Sequence, residues 1–187
     1  MNIEEVEILV NRVLSSDYVS LPGLQSFREK YNLSGPYYDF LYELGLKLNS
    51  GKLLEIGTGS GGSALHFATG AVNGLVLTVD NGPGIKLSES FQIAKREAPN
   101  IHFFEANSLD LDIGGIGLMD FLFIDANHVD DDAFAEYAKF SPLVKSGGLI
   151  LFDDALWIKG AWDRVELPKK LYPDLHPGGC GFGVCWK

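Results

Sequence analysis

The sequence predicts an α/β protein: a doubly wound, mostly parallel sheet with an antiparallel C-terminal strand and an N-terminal helical cover. Three observations carry this. After Gly51, short apolar runs alternate with helical stretches, the pattern of strands joined by crossover helices. Before Gly51, apolar residues recur at helical spacing instead. Near the C-terminus a Gly-rich turn precedes the strand-like run FGVCW, which allows an antiparallel return.

The elements follow in order. Ile3, Val6, Leu9, Val10, Val13 and Leu14 form the apolar stripe of an opening amphipathic helix. Residues 15–35 lack such a stripe and read as irregular. Pro36 suits the first position of a second helix, whose stripe is Tyr37, Phe40, Leu41, Leu44 and Leu48. KLLEIG is then a strand, followed by a Gly-rich turn and a short helix, SALHFATG. GLVLTVD is the second strand, and residues 85–97 read as one helix with Leu87, Phe91 and Ala94 on one face. IHFFEA and DFLFID are the third and fourth strands. DDDAFAEYAKF is a helix with aspartates in its first turn, where the helix dipole favours them. LILFDD is the fifth strand. Residues 1–187 therefore read as one domain, with 1–50 as the helical cover and 51–187 as the ligand-binding core.

Composition narrows the partners. A formal net charge of −10 argues against nucleic acid or an anionic membrane, since both demand basic surface. The acidic start MNIEEVEILV does not resemble a secretion signal, and no apolar run reaches membrane-spanning length. A cytoplasmic setting is the expectation. The two cysteines, Cys180 and Cys185, are too few for a disulfide framework or a zinc quartet and read as small terminal residues. The late tryptophans (Trp157, Trp162, Trp186) and the early tyrosines (Tyr18, Tyr31, Tyr37, Tyr38) read as core or interface aromatics.

LLEIGTGSGG places Gly57, Gly59 and Gly62 at G-x-G-x-x-G spacing between a strand and a helix. Such a loop lets backbone approach a ligand and points helix N–H groups at it. Asp80 ends the next strand, where a ribose hydroxyl is usually held. Glu55, at the mouth of the loop, suits a cationic amine better than a phosphate. Together these point to a nucleoside-containing cofactor.

From about Gly51 to its end the chain resembles the class I S-adenosylmethionine (SAM)-dependent methyltransferases, which have a Rossmann-like fold. LLEIGTGSGG resembles their first motif, LTVD the second and FFEANSLD the third. The resemblance implies that Glu55, Gly57, Thr58, Gly59, Ser60, Gly61, Asp80, Asn81, Asn107, Ser108 and Asp125 bind the cofactor. Asn107 stands where the family more often has Asp, and its side-chain carbonyl can accept from the adenine amino group. FIDANHVDDDAF and LFDD carry a narrower resemblance, to small-molecule O-methyltransferases that include macrolide-sugar enzymes and cephalosporin-hydroxylase-like proteins. Ala126 and Asp130 depart from the Gly and the aromatic common there. By the same resemblance, His128 is the general base, a role that a neutral imidazole fits.

In a parallel sheet of this kind Asp125, Asp153 and Asp154 converge on the ligand face. Three carboxylates in one cleft call for a cation, and oxygen-only ligands suit Mg²⁺ or a similar divalent ion. Against this stands a plainer role for Asp154 as a helix cap. His66, His102 and His176 have no assigned role. The implied function is methyl transfer from SAM to a hydroxyl of a small-molecule acceptor, assisted by the metal. Two rivals are a non-catalytic SAM-binding module and a nicotinamide-dependent oxidoreductase. A second copy of the chain could complete so small a pocket, which makes a homo-oligomer an open expectation.

Overall fold

The computed structural model describes every residue except Pro177. Helix α1 (Ile3–Val13) starts at a capping box: Asn2 accepts from the Glu5 N–H, and the Glu5 carboxylate accepts from the Asn2 N–H. It buries Val6, Leu9, Val10 and Val13, while Ile3 and Leu14 stay exposed. The stretch 15–35, expected to be irregular, contains a second helix, α2 (Pro22–Tyr31). Only Leu24 and Phe27 of α2 are buried, which explains its weak periodicity, and Pro22 sits in its first turn. Helix α3 (Tyr37–Lys47) is buried along most of its length and packs on helix α4 (Gly62–Gly70). Gly45 and Gly70 allow that approach. A Cβ on Gly45 would stand 2.4 Å from the Phe67 carbonyl oxygen, and one on Gly70 would stand 2.3 Å from that of Tyr42.

The sheet has seven strands: β1 (Lys52–Ile56), β2 (Leu75–Asp80), β3 (Ile101–Glu105), β4 (Met119–Ile124), β5 (Val144–Phe152), β6 (Lys169–Tyr172) and β7 (Phe182–Trp186). Their order is β3-β2-β1-β4-β5-β7-β6. The first five strands are mutually parallel, and β7 runs antiparallel between β5 and β6. The predicted doubly wound sheet and its antiparallel return are therefore present. The short strand β6 is additional; its KKLY sequence is too brief and too charged to announce itself.

Helix α5 (Glu89–Glu97) is shorter than expected. Residues Ile85–Leu87 form a 3₁₀ turn, and Ser88 then caps α5 by accepting from the Phe91 N–H. Leu87, expected on the buried face, is 82% exposed in that turn. Helices α6 (Asp130–Phe140) and α7 (Lys159–Arg164) complete the fold. Asp130, one of the departures from the family pattern, fastens the two together by accepting from the Ala161 N–H at 3.0 Å. Two apolar clusters fill the opposite faces of the sheet. One joins α1–α5 to Leu53, Phe121, Phe123, Leu149 and Leu151; the other joins α6 and α7 to Leu54, Leu122, Ile150 and Phe152. No helix among the described residues is long and apolar enough to cross a membrane.

Candidate active site

Strand order reverses between β1 and β4, and ligand crevices of open α/β sheets form at such a point. Ladder hydrogen bonds continue one residue past the strands here. The Gly57 N–H donates to Val79, Asp125 to Ile56, Asp153 to Ile124 and Ala106 to Asp80. This register delivers Gly57, Asp125 and Asp153 side by side from three adjacent strand ends. The contact is tight: a Cβ on Gly57, whose φ is +98°, would stand 1.9 Å from the Asp125 carbonyl oxygen.

A cleft of about 360 Å³ opens beside them. Its wall includes Gly57, Gly59, Asp80, Asn81, Asn107, Ser108 and Asp125, so seven of the predicted cofactor residues meet there. Gly59, with φ at +49°, has open space where a Cβ would be, as a backbone cradle for a ligand requires. Asp80 holds the loop: its Oδ2 accepts from the Thr58 N–H (2.8 Å) and the Gly59 N–H (3.1 Å), and its Oδ1 accepts from the Gly82 N–H (2.7 Å). Asn107 Oδ1 accepts from the Leu109 N–H, and the Ser108 hydroxyl donates to Glu136.

Four predicted cofactor residues lie outside this wall. Glu55 is fully buried behind the loop and accepts from the hydroxyls of Ser63 and Thr78. Burial pushes its carboxyl up to about 7, against the pull of those two hydrogen bonds. It braces the loop rather than standing at its mouth. Thr58 is buried, its hydroxyl 2.6 Å from that of Thr78. Gly61 starts α4 at a φ of +78° and admits Phe91 and Ala94 of α5. Ser60 stands beside it in the loop.

The carboxylate end lies past β4 and β5. His128, half exposed, places Nε2 2.5 Å from Asp154 Oδ2. Asp154 does not cap α7. Its backbone oxygen, not its carboxylate, receives the Trp157 and Ile158 N–H groups, and its own φ is +49°. Asp125 and Asp153 face one another. Desolvation first, then the neighbouring acids Asp153, Glu55 and Asp154, hold the Asp125 carboxyl well above its usual range. Desolvation likewise pushes Asp153 up to about 6, opposed by the nearby His176.

Two unexpected residues join this end. The His176 ring stacks on Tyr37 with centroids 5.2 Å apart. Its Nε2 stands 3.6 Å from Asp153 Oδ1, and its Nδ1 stands 3.8 Å from Asp154 Oδ1. Cys180, expected to be only a small tail residue, places its thiol against the Asp154 carboxylate. Burial and the two acids push that thiol up to about 11. Among the described residues, one group of three metal-capable side chains has its ligand atoms within 4.8 Å of one another: Asp154, His176 and Cys180. The convergence was invisible in the sequence because it depends on the β7 return. The spacing of His176 and Cys180 in a Gly-rich turn was its one trace.

Fold and cleft together define a Rossmann-like methyltransferase class. A family model described as "Methyltransferase domain" matches residues 54–155, more than half of the chain, and the chain belongs to that family. Solved structures share the fold across nearly full length. The SAH-bound methyltransferase PaMTH1 of Podospora anserina has a TM-score of 0.72 at 17% identity, covering 100% of this chain and 97% of that one. The O-methyltransferase TomG of Streptomyces achromogenes, involved in tomaymycin synthesis and solved with SAM, has a TM-score of 0.69 at 19% identity, covering 100% and 99%. An O-methyltransferase of Bacillus cereus in complex with SAH has a TM-score of 0.66 at 21% identity, covering 98% and 97%.

Proposed function

We propose that this methyltransferase moves the methyl group of SAM to a hydroxyl of a small molecule at the ends of β1, β4 and β5. The observation that carries the reading is the pairing of His128 with Asp154 beside a glycine-loop cleft. Bound in that cleft, SAM supplies an electrophilic methyl on a positively charged sulfur. Gly57 and Gly59 admit it to the backbone, while Asp80, Asn81, Asn107, Ser108 and Asp125 surround its polar groups. Ser60, Thr58, Gly61 and Glu55 set the loop's shape. The His128 Nε2–H donates to Asp154 Oδ2, which fixes the ring and leaves Nδ1 to take the acceptor's hydroxyl proton. Trp157, 61% exposed, meets the His128 ring edge-on at 5.5 Å, and Val129 is exposed beside that histidine. This apolar lip suits an acceptor with a flat or apolar body. TomG's involvement in tomaymycin synthesis is in keeping with a small-molecule acceptor.

A divalent cation fits the carboxylate end on one observation. Asp153 Oδ1 and Asp154 Oδ1 are buried and have no hydrogen-bond partner among the described residues. Asp153 and Asp154 would hold the ion, with Asp125 beside them. When bound it would neutralise their charge and polarise an acceptor oxygen.

Calorimetry with S-adenosylhomocysteine (SAH) and with NAD tests the cofactor, and only the former is expected to bind. Substituting His128→Ala should keep SAH affinity and lower turnover on a true acceptor by about two to four orders of magnitude. Wild-type turnover in that variant would remove His128 from the mechanism. NAD binding without SAH binding would overturn the whole reading.

A further inference from the structure

We propose that Asp154, His176 and Cys180 form a mixed oxygen, nitrogen and sulfur site for a borderline-soft divalent cation of the Zn²⁺ type, with Asp153 at its edge. Three segments build it. Asp154 follows β5, His176 follows the 3₁₀ turn Pro173–Leu175, and Cys180 precedes β7. Antiparallel pairing continues past the strand ends, with the Ala155 N–H donating to Gly181 and the Leu156 N–H donating to Cys180. That pairing sets Cys180 against the residues after Asp154. Gly178, Gly179 and Gly181 all have positive φ and let the chain fold back so tightly.

The Cys180 thiol meets the Asp154 carboxylate, yet polar atoms at this place are left over. Asp153 Oδ1, Asp154 Oδ1 and His176 Nδ1 are all buried without a hydrogen-bond partner among the described residues. Both aspartates are only 6% exposed, so water offers them little compensation. The gaps of 3.6 and 3.8 Å between imidazole and carboxylate are too long for hydrogen bonds. The 3.8 Å gap from Nδ1 to Asp154 Oδ1 is close to the spacing of about 3.4 Å between two ligands on one tetrahedral zinc ion, while Nε2, on the far side of the ring, faces Asp153. The His176 ring is already held by its stack on Tyr37. Asp154 divides its work, with Oδ2 on His128 and Oδ1 turned toward His176.

Ligand chemistry sets the preference. Thiolate and imidazole favour Zn²⁺ over Mg²⁺, which demands oxygen and water. Three protein ligands leave a fourth position open, as in catalytic zinc sites. An acceptor hydroxyl would enter there, a use that rests on the transferase reading above; the binding itself does not.

The full chain, treated with chelator and then titrated with Co²⁺, should develop visible bands of tetrahedral cobalt and a near-ultraviolet thiolate charge-transfer band. Zn²⁺ should displace the cobalt, and Mg²⁺ should bind at least about a hundredfold more weakly. Substituting Cys180→Ser should abolish the thiolate band, and His176→Ala should weaken binding by about tenfold or more. Cys185→Ala should change neither. X-ray absorption of the zinc-loaded wild type should show a sulfur ligand without recourse to any variant. The proposal is overturned if wild type shows no sulfur ligation, if Cys180→Ser keeps the band, or if Mg²⁺ displaces cobalt as well as Zn²⁺ does. Calorimetry with SAH on the same preparation separates the two readings. SAH binding without sulfur ligation sinks only the metal site, and sulfur ligation without SAH binding sinks only the transferase.

Discussion

On the β2 side of the cleft, Asp80 accepts N–H bonds from Thr58, Gly59 and Gly82, and Glu55 accepts from two hydroxyls. On the β5 side, Asp153 and Asp154 each keep a buried oxygen without a hydrogen-bond partner among the described residues, and His176 keeps a buried nitrogen likewise. The glycine-loop end is thus assembled by the chain's own hydrogen bonds. The carboxylate end holds like charges whose mutual cost only a cation or a proton relieves. Two experimental signatures should follow. The first end should report on folding and, through buried Glu55, on pH; the second should report on metal.

The largest effect is expected where the two ends touch. A Cβ at Gly57 would overlap the Asp125 carbonyl at 1.9 Å, in a φ region that disfavours side chains. Substituting Gly57→Ala should destabilise the fold by about 3 kcal/mol in urea denaturation and should weaken SAH binding. Gly59 is the control. It has open space around its Cβ direction, and Asn tolerates its φ of +49°, so Gly59→Asn should lose SAH affinity at a much smaller cost in stability. Equal destabilisation of both variants would break the distinction between a packing glycine and a ligand-facing one.

These two glycines also mark what the sequence made legible. The strand-loop-helix rhythm, the glycine spacing and the acids ending β2, β4 and β5 are local patterns, and local patterns survive in one dimension. Which glycine packs and which faces the cleft is not local. Gly57 meets β4 and Gly61 meets α5, both far along the chain. Helix α2 escaped because only Leu24 and Phe27 reach the core. His176 and Cys180 escaped for a deeper reason: the antiparallel pairing of β7 with β5 creates their proximity to Asp154. Glu55 was visible as a carboxylate near the loop, but its burial behind Ser63 and Thr78 was not.

Glu55 gives the next effect. Its folded carboxyl is raised from 4.5 to about 7 by burial. A raised carboxyl means that the folded state holds the proton more tightly than the unfolded one. The resulting stability is fully present below pH 4.5 and is lost as pH rises through about 7. Across that window the loss amounts to about 3 kcal/mol. Asp153, raised to about 6, adds a loss of the same sign at lower pH. Denaturation of metal-free protein should therefore show stability falling from mildly acidic to mildly alkaline pH. Substituting Glu55→Gln should flatten the upper part of that fall. An unchanged profile in the variant would mean that Glu55 is ionised in the fold without penalty.

The smallest effect is expected at Asp154, and its sign separates relief of repulsion from two structural roles. A helix cap would lose about 1 kcal/mol on substitution, whether or not metal is present. The carboxylate makes no such bond here, because the backbone oxygen receives the Trp157 and Ile158 N–H groups. A pure ion pair with half-exposed His128 would also be lost, at a cost of about 1 kcal/mol or less. Relief of repulsion from Asp153 and Asp125 acts in the opposite direction. Asn tolerates the φ of +49° that Asp154 adopts, so Asp154→Asn adds no backbone strain. The metal-free variant should therefore stay within about 1 kcal/mol of wild type, on the stabilised side if repulsion dominates. With excess Zn²⁺ the two should diverge, since an ion that binds only the folded state raises the melting temperature of wild type and less so that of a variant missing a ligand. Melting curves in chelator and in Zn²⁺ measure both halves of this. If the variant melts lower by the same amount in both, Asp154 is a structural residue and the carboxylate end resembles the loop end after all.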